Sequence, residues 1–350
     1  LVRRAACNDW PRILCPAPGA YPPAAERRGE ERVLHVANFP GEIGQMYLHT
    51  IASEYRMVYW PGRPPAAVVG EMLAAARSFR PTVVFIQIQC PGVLEPHHIE
   101  ALRALCDPSC VICNWDGDQH YEPRSRQRRW FVDLGQVCDA SLVVNTEHPE
   151  VYAELGVRHP GFFEIAADPS IFHPTDPAPD VPPVVLLANA SHAVHATRHD
   201  YVRTLDAQLG PARFGVYGSG WSDLACGHDS LVPTQESAVY CAARAALSVS
   251  ARNDLPRYTS DRLFRLLASG GVPVVEAFPD CAGLGLIDGH NCILWSGEAG
   301  LHAALEAALS MHPGETQAMR DAAADLGHDH LWPQRHRELL AIIDAVRGSR

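Results

Sequence analysis

The chain has 350 residues, 47% apolar and 20% charged, which suits two packed domains of ~150 residues and excludes global disorder. A formal net charge of −11 argues against a protein whose whole surface tracks nucleic acid or anionic membrane, while leaving room for a local basic groove. No apolar run approaches the ~18 residues of a membrane span, and the first residues lack the charged-then-apolar order of a signal peptide, so a cytoplasmic protein is expected.

Residues 1–31 are read as an extended leader, rich in proline, alanine and charge over 16–31. Residues 33–37 form a short apolar strand, followed by a glycine-containing loop, 38–44. Tyr47, Leu48, Ile51 and Tyr55 share one face of an expected helix, and 56–60 reads as the second strand. Val69, Met72, Leu73 and Ala76 mark a second helix, ended by Pro81. Residues 83–88 are a third strand, and Ile99, Leu102 and Cys106 mark a third helix. Strands at 111–115 and 141–145 complete a Rossmann-like N-terminal domain, 32–167, because short apolar runs alternating with helices indicate a parallel sheet covered on both faces.

The 11 cysteines are odd in number and form no framework, which suits a reducing compartment. Cys106, Cys110 and Cys113 are the densest group. Their spacing sends Cys110 and Cys113 to opposite faces of a strand, so buried thiols are expected rather than a zinc site.

Six prolines within 168–183 exclude helix interior and central strand, so this span reads as a hinge. The alternation then restarts in a second domain, 184–328, with strands at 184–188, 213–217, 246–250, 272–276 and 292–295. Leu301, Ala304, Leu305, Ala308 and Leu309 repeat at helical spacing. A last helix carries Leu339, Leu340, Ile343 and Val346. Open parallel sheets bind ligands at the carboxyl ends of their strands, so the residues at those ends are the candidates for binding and chemistry.

The sharpest local feature runs from Tyr258 to Gly271. Thr259 or Ser260 suits the N-cap of a helix starting near Asp261, and that helix start is a ready diphosphate site. Arg262 in the first turn opposes the helix dipole unless an anion sits there. An ordinary capped helix with a surface arginine is the plain alternative. Gly270 and Gly271 end the helix and lead into the next strand.

This segment resembles the donor site of retaining GT-B glycosyltransferases, which read E-A-x-A-x-G-x-P-V-V. It is closer still to their spore-maturation glycosyltransferase-like subgroup, with S-x-R-x-F-E-x-L-A-x-G-G. Ser260, Arg262, Phe264, Leu267, Ala268, Gly270 and Gly271 match as they stand. Residues 164–174 are similar to the segment closing the N-terminal domain, and 214–221 to a strand and turn that include Tyr217. Residues 330–340 are similar to the start of a helix, 329–350, that closes onto the N-terminal domain. The likeness covers roughly 32–345.

The resemblance implies an α/β protein of GT-B architecture, two Rossmann-like domains facing across a cleft. It further implies transfer of a sugar from a nucleoside-diphosphate sugar, UDP- or GDP-linked, to a hydroxyl acceptor, without cofactor or metal. The donor group then comprises Gly41, Gly44, Arg198, Tyr217, Tyr258, Thr259, Ser260, Arg262 and Arg265. The loop holding Gly41 and Gly44 has G-x-x-G spacing and lacks the dinucleotide fingerprint. Arg198 is the fully charged group near His192, His195 and His199, and is expected on phosphate. A catalytic His or Asp is implied after strand 111–115, where Asp116, Asp118 and His120 stand; a carboxylate there acts as base or stabilises an oxocarbenium-like transition state. A polar turn is the plain alternative.

The chain departs from the pattern at two places. Arg265 stands where the ribose-binding glutamate is expected, and Arg257 replaces its acidic partner. An arginine cannot accept from ribose hydroxyls but pairs with phosphate or a sugar carboxylate, so an altered donor preference is expected. An inactive relative, a two-lobed sugar-binding protein and a DNA-base glycosyltransferase stay open. An NAD(P)-dependent oxidoreductase is disfavoured by the missing fingerprint in both halves. The acidic total disfavours nucleic acid as partner without excluding it.

Overall fold

The computed structural model describes residues 30–38, 48–60, 62–88, 90–118, 124–190 and 196–350. They divide into two compact units, one ending at Glu164 and including Pro333–Arg350, the other spanning Ile165–Trp332.

The first unit contains strands β1 (Glu31–Ala37), β2 (Ala52–Tyr59), β3 (Val83–Gln87), β4 (Val111–Asp116), β5 (Ala140–Val143) and β6 (Pro160–Phe162). Helices α1 (Pro65–Phe79), α2 (Pro96–Arg103), α3 (Arg126–Gly135) and α4 (His148–Glu154) connect them. The sheet is parallel throughout, in the order β2-β1-β3-β4-β5-β6. Every residue of β3 and β4 is buried, as expected for central strands covered on both faces. On one face Leu34, Val36, Val84 and Ile112 pack with Met72, Leu102 and Phe131. On the other, Phe85 and Trp115 meet with ring centroids 6.1 Å apart, and Trp115 Nε1 donates to Phe163 O at 2.9 Å. His35 lies fully buried on that face, between the Tyr55 hydroxyl at 2.9 Å and Gln87 Oε1 at 3.2 Å. Burial holds its imidazole neutral, with a pKa lowered to about 4.

One expectation is overturned here. The helix read from Leu48, Ile51 and Tyr55 is a single 3-10 turn, Leu48–Ile51, and the chain enters β2 at Ala52. Tyr47 lies outside the described residues. The open edge of β1 explains the outcome, because β2 satisfies its backbone groups along its length, from Glu31 to Ala37. In an extended chain Tyr55 and Met57 share a side, which carries the Tyr55 hydroxyl to His35.

The second unit contains β7 (Val184–Leu187), α5 (Ala196–Leu209), β8 (Phe214–Tyr217), β9 (Gly227–His228), α6 (Pro233–Ala242), β10 (Ala245–Ser248), α7 (Asp261–Ala268), β11 (Pro273–Glu276), β12 (Ile293–Trp295), α8 (Gly297–Ser310) and α9 (Pro313–Asp329). Its sheet is also parallel, in the order β12-β11-β10-β7-β8-β9. The short β6 and β9 and the helix α9 were not read from the sequence. Residues 168–183 contain neither helix nor strand. Phe172 nevertheless packs with Phe264 and Ala268, and Ala178 N donates to Ala238 O at 2.9 Å.

The last helix, α10 (Trp332–Gly348), carries the residues counted with the first unit. Arg335 pairs with Glu164 at 2.9 Å and Arg347 with Glu31 at 2.7 Å. Every described cysteine is free, and Cys106, Cys110 and Cys113 are buried. No described helix is long and apolar enough to cross a membrane.

Candidate functional site

In the second unit, two arginines from different helices converge where β7 and β10 end. Arg198, in the first turn of α5, donates from Nη2 to Val249 O at 2.9 Å. Arg262, near the start of α7, donates from Nη1 to the same oxygen at 3.1 Å and from Nε to Leu187 O. Arg198 is 4% exposed, and its Nε is buried without a hydrogen-bond partner among the described residues. Burial, and then the neighbouring Arg262, pull its pKa down to about 9. Within this unit Arg203, Arg252 and Arg265 form ion pairs with carboxylates. Neither Arg198 nor Arg262 enters one among the described residues. Two like charges sharing one carbonyl, one of them buried and the other half-buried, repel each other, and an anion between them relieves that repulsion.

The start of α7 adds to this positive end. Ser260 is the N-cap residue, yet its hydroxyl makes no capping bond and accepts instead from Arg262 Nη1 at 3.1 Å. The helix start is therefore not closed by a side chain, which is the arrangement that favours an anion. Ser260 N donates to Ser250 Oγ at 3.1 Å, and the Thr259 hydroxyl lies 3.3 Å from the same oxygen. Tyr258 and Thr259 are buried beneath this turn.

Tyr217 ends β8 as the cross-strand partner of Leu187 and stacks on His228, 4.5 Å between centroids at 12°. Gly218 follows where a Cβ would stand 2.2 Å from Ala188 O, so the backbones approach closely only because it is glycine. Arg198, Arg262, Tyr217 and the 258–260 turn are thus gathered at the carboxyl edge of one sheet.

Arg265 is placed otherwise. Its guanidinium pairs with Glu236 at 3.1 Å and Asp261 at 2.7 Å, and lies 5.1 Å from the centre of the Phe172 ring. The cation expected to meet the donor is engaged by two carboxylates of its own unit. Arg257 is buried with φ of 58°, an uncommon left-handed conformation for a bulky residue, and its N–H donates to Pro279 O. His199 packs 5.2 Å from Trp221, and its Nδ1 accepts from Arg203 Nε at 3.2 Å. His192 and His195 lie outside the described residues. Among the described residues no group of three or more His, Cys, Asp or Glu is placed to hold a metal ion.

Glu276 was missed by the sequence reading. It ends β11, accepting from the Tyr201 hydroxyl at 3.1 Å and from Asn253 Nδ2. Burial raises its pKa, opposed by Tyr201 and then Arg198. The available signal was a carboxylate on the last residue of a predicted parallel strand.

In the first unit, Asp116 is the last residue of β4 and is 1% exposed. Its Oδ1 accepts from Asp118 N at 2.9 Å, fixing the turn that follows, while Asp118 itself is exposed. The turn is tight, since a Cβ on Gly117 would stand 2.8 Å from the Trp115 ring. His120, Gly41 and Gly44 lie outside the described residues.

Residues 198–341 match a protein-family model described as "Glycosyl transferase-like". No curated protein matches the chain significantly. Among solved structures the chain is similar to Anabaena HepE in complex with UDP and glucose, at 10% identity over 90% of this chain and 99% of that one, with a TM-score of 0.58. It is also similar to the N-terminal domain of Candida albicans trehalose-6-phosphate phosphatase, at 9% identity over 95% and 100%, with a TM-score of 0.63. A third likeness is to the pneumococcal O-GlcNAc transferase GtfA in complex with UDP and GlcNAc, at 13% identity and a TM-score of 0.53. That match covers 81% of this chain, which spans 60% of the length of GtfA. The architecture these likenesses share with the chain is the GT-B fold, two parallel α/β units in one polypeptide.

Proposed function

We propose that this chain is a glycosyltransferase that moves a sugar from a nucleoside-diphosphate sugar, UDP- or GDP-linked, to an acceptor hydroxyl. The observation that carries the reading is the pair of Arg198, buried, and Arg262, half-buried, neither of them in an ion pair among the described residues, beside a helix start that no side chain caps. A diphosphate supplies the missing charge, and backbone N–H groups at the start of α7 supply donors for its oxygens. The match of residues 198–341 to a glycosyl transferase-like family supports the reading, as does UDP in the HepE and GtfA structures.

In this reading Tyr217, Tyr258, Thr259 and Ser260 line the donor side, and Gly41 and Gly44, outside the described residues, are assigned to the donor group on the sequence resemblance. Asp116 serves as the base toward the acceptor or as the carboxylate that stabilises positive charge on the reacting carbon, with Asp118 and His120 beside it in sequence. The reaction is assigned no metal and no cofactor, and the protein is placed in the cytoplasm. Arg265 acts on donor choice only indirectly, since its guanidinium is paired with Glu236 and Asp261. A thermal-shift and calorimetric panel of UDP-, GDP-, ADP- and TDP-sugars tests the proposal. Stabilisation by at least one donor is expected, together with slow hydrolysis of that donor. A folded protein that binds none of them overturns the donor site, and one that binds without turnover is a binding-only relative.

A further inference from the structure

The transferase reading leaves a run of four arginines unexplained. Arg124, Arg126, Arg128 and Arg129 fall within six residues at the start of α3, in a chain whose net charge is −11. Arg124, Arg126 and Arg129 are exposed, and Arg128 is half-buried with its guanidinium 5.6 Å from the centre of the Tyr152 ring. The first turn of α3 contains no acidic residue. Ion pairs in this unit are made by Arg32, Arg63, Arg103, Arg335, Arg347 and Arg350. None of the four joins one among the described residues. Cations crowded at the positive end of a helix repel one another and oppose its dipole, so the local arrangement costs stability that a bound polyanion returns.

The cluster has a fixed place. The α3 helix follows β4 and begins at the carboxyl edge of the first sheet, the edge where Asp116 ends its strand. Trp130 anchors the helix there by donating from Nε1 to Leu94 O at 2.7 Å. Arg126 Nη2 lies 3.6 Å from the Cβ position of Gly92, in the loop that follows β3. Arg126 therefore stands beside the loop that follows β3, at the carboxyl edge of the sheet.

We infer that this turn is a docking surface for the phosphodiester backbone of a nucleic acid. Single exposed ion pairs contribute little in water, so a cluster with three exposed arginines is suited to a ligand with repeating phosphates rather than to one phosphate group. Arg126 and Arg129 are one helical turn apart and present neighbouring guanidiniums to successive phosphates. A lipid surface fits less well. Among the described residues the exposed large apolar side chains are Tyr59, Leu155, Val232 and Ile287, and none lies within the run to insert beside the arginines. Backbone docking stands independently of the sugar-transfer reading; naming the docked strand as the acceptor rests on it.

The test is fluorescence anisotropy of the whole chain with a fluorescein-labelled oligonucleotide, single-stranded and duplex, between about 50 and 200 mM salt. Binding should weaken steeply with salt. Each lost phosphate contact lowers the log–log salt slope by about 0.7–0.9, so the double variant Arg126→Gln/Arg129→Gln should lose about 1.4–1.8 of slope. Both side chains are exposed, so melting temperature and UDP binding should stay at wild-type values. No oligonucleotide binding at low salt overturns the inference, as does an unchanged slope in the double variant. Arginine-dependent binding to phosphatidylserine vesicles without oligonucleotide binding overturns it in favour of a membrane. UDP titration of the same preparations keeps the readings apart: absent UDP binding with oligonucleotide binding intact removes the donor site and leaves the docking surface.

Discussion

Arg198 and Arg262 share the oxygen of Val249, the first buried and the second half-buried. If a diphosphate completes this pair, Arg198→Ala and Arg262→Ala should each weaken nucleoside-diphosphate binding by about 1.5–3 kcal/mol, the scale of a charge-assisted hydrogen bond. Calorimetry with UDP and GDP checks this, and unchanged affinity in both variants would remove the donor assignment. Asp116 behaves differently, because its carboxylate is already engaged by Asp118 N. In Asp116→Asn the amide oxygen still accepts that bond, so the turn should hold and donor affinity should stay within about 0.5 kcal/mol of wild type. Turnover should fall by about 100-fold or more, the scale of a lost general base. Steady-state kinetics beside donor binding separates the two effects, and normal turnover would move the chemistry away from this residue.

At the scale of elements, the contact between α6 and α7 is the place where charge decides packing. Glu236 on α6 and Asp261 on α7 hold Arg265 between them, and Phe172 lies beneath. Burial raises the Glu236 pKa, and Arg265 is the main influence holding it down. Arg265→Ala should therefore destabilise the unit by about 2–4 kcal/mol at neutral pH, since a half-hidden carboxylate loses its counterion. The sign of the pH dependence follows from the direction of that shift. A carboxyl whose folded pKa lies above its unfolded value costs stability while ionised, and the cost disappears as pH falls through the folded pKa to the unfolded one. The variant should thus approach wild-type stability toward acid pH. Urea denaturation at neutral and mildly acidic pH measures it, and a deficit that grows with acidity would contradict the pairing.

At the scale of the whole molecule, the chain returns its last helix to the unit it began with. Leu339, Ile342, Ile343 and Val346 are buried, and Arg335, Arg347 and Arg350 pair with Glu164, Glu31 and Asp139. Each buried aliphatic side chain contributes about 1.5–3 kcal/mol. Removing residues 333–350 should accordingly expose the first unit to proteolysis between 30 and 164 and leave 165–332 resistant. Mass spectrometry of limited digests reads the outcome directly. Equal sensitivity of both units would mean that the second unit also depends on α10.

The alternation of apolar runs with helical periods by itself determined that both halves are parallel α/β sheets, because strands buried on both faces leave no polar side in the sequence. It also marked the 258–271 segment, whose capping residues, glycines and apolar spacing each act within a few residues. What it could not determine was any choice between local and distant partners. Ile51 and Tyr55 fit a helical face, yet the unpaired edge of β1 drew residues 52–59 into a strand. Arg265 looked free to meet a donor because Glu236, 29 residues away in sequence, gives no local sign of its approach. Arg198 and Arg262 are 64 residues apart, and only the shared end of two neighbouring strands, β7 and β10, brings them to one oxygen. Short-range periodicity is written in backbone and side-chain shape. Convergence of charges is decided by which strands become neighbours, and that is a property of the sheet as a whole.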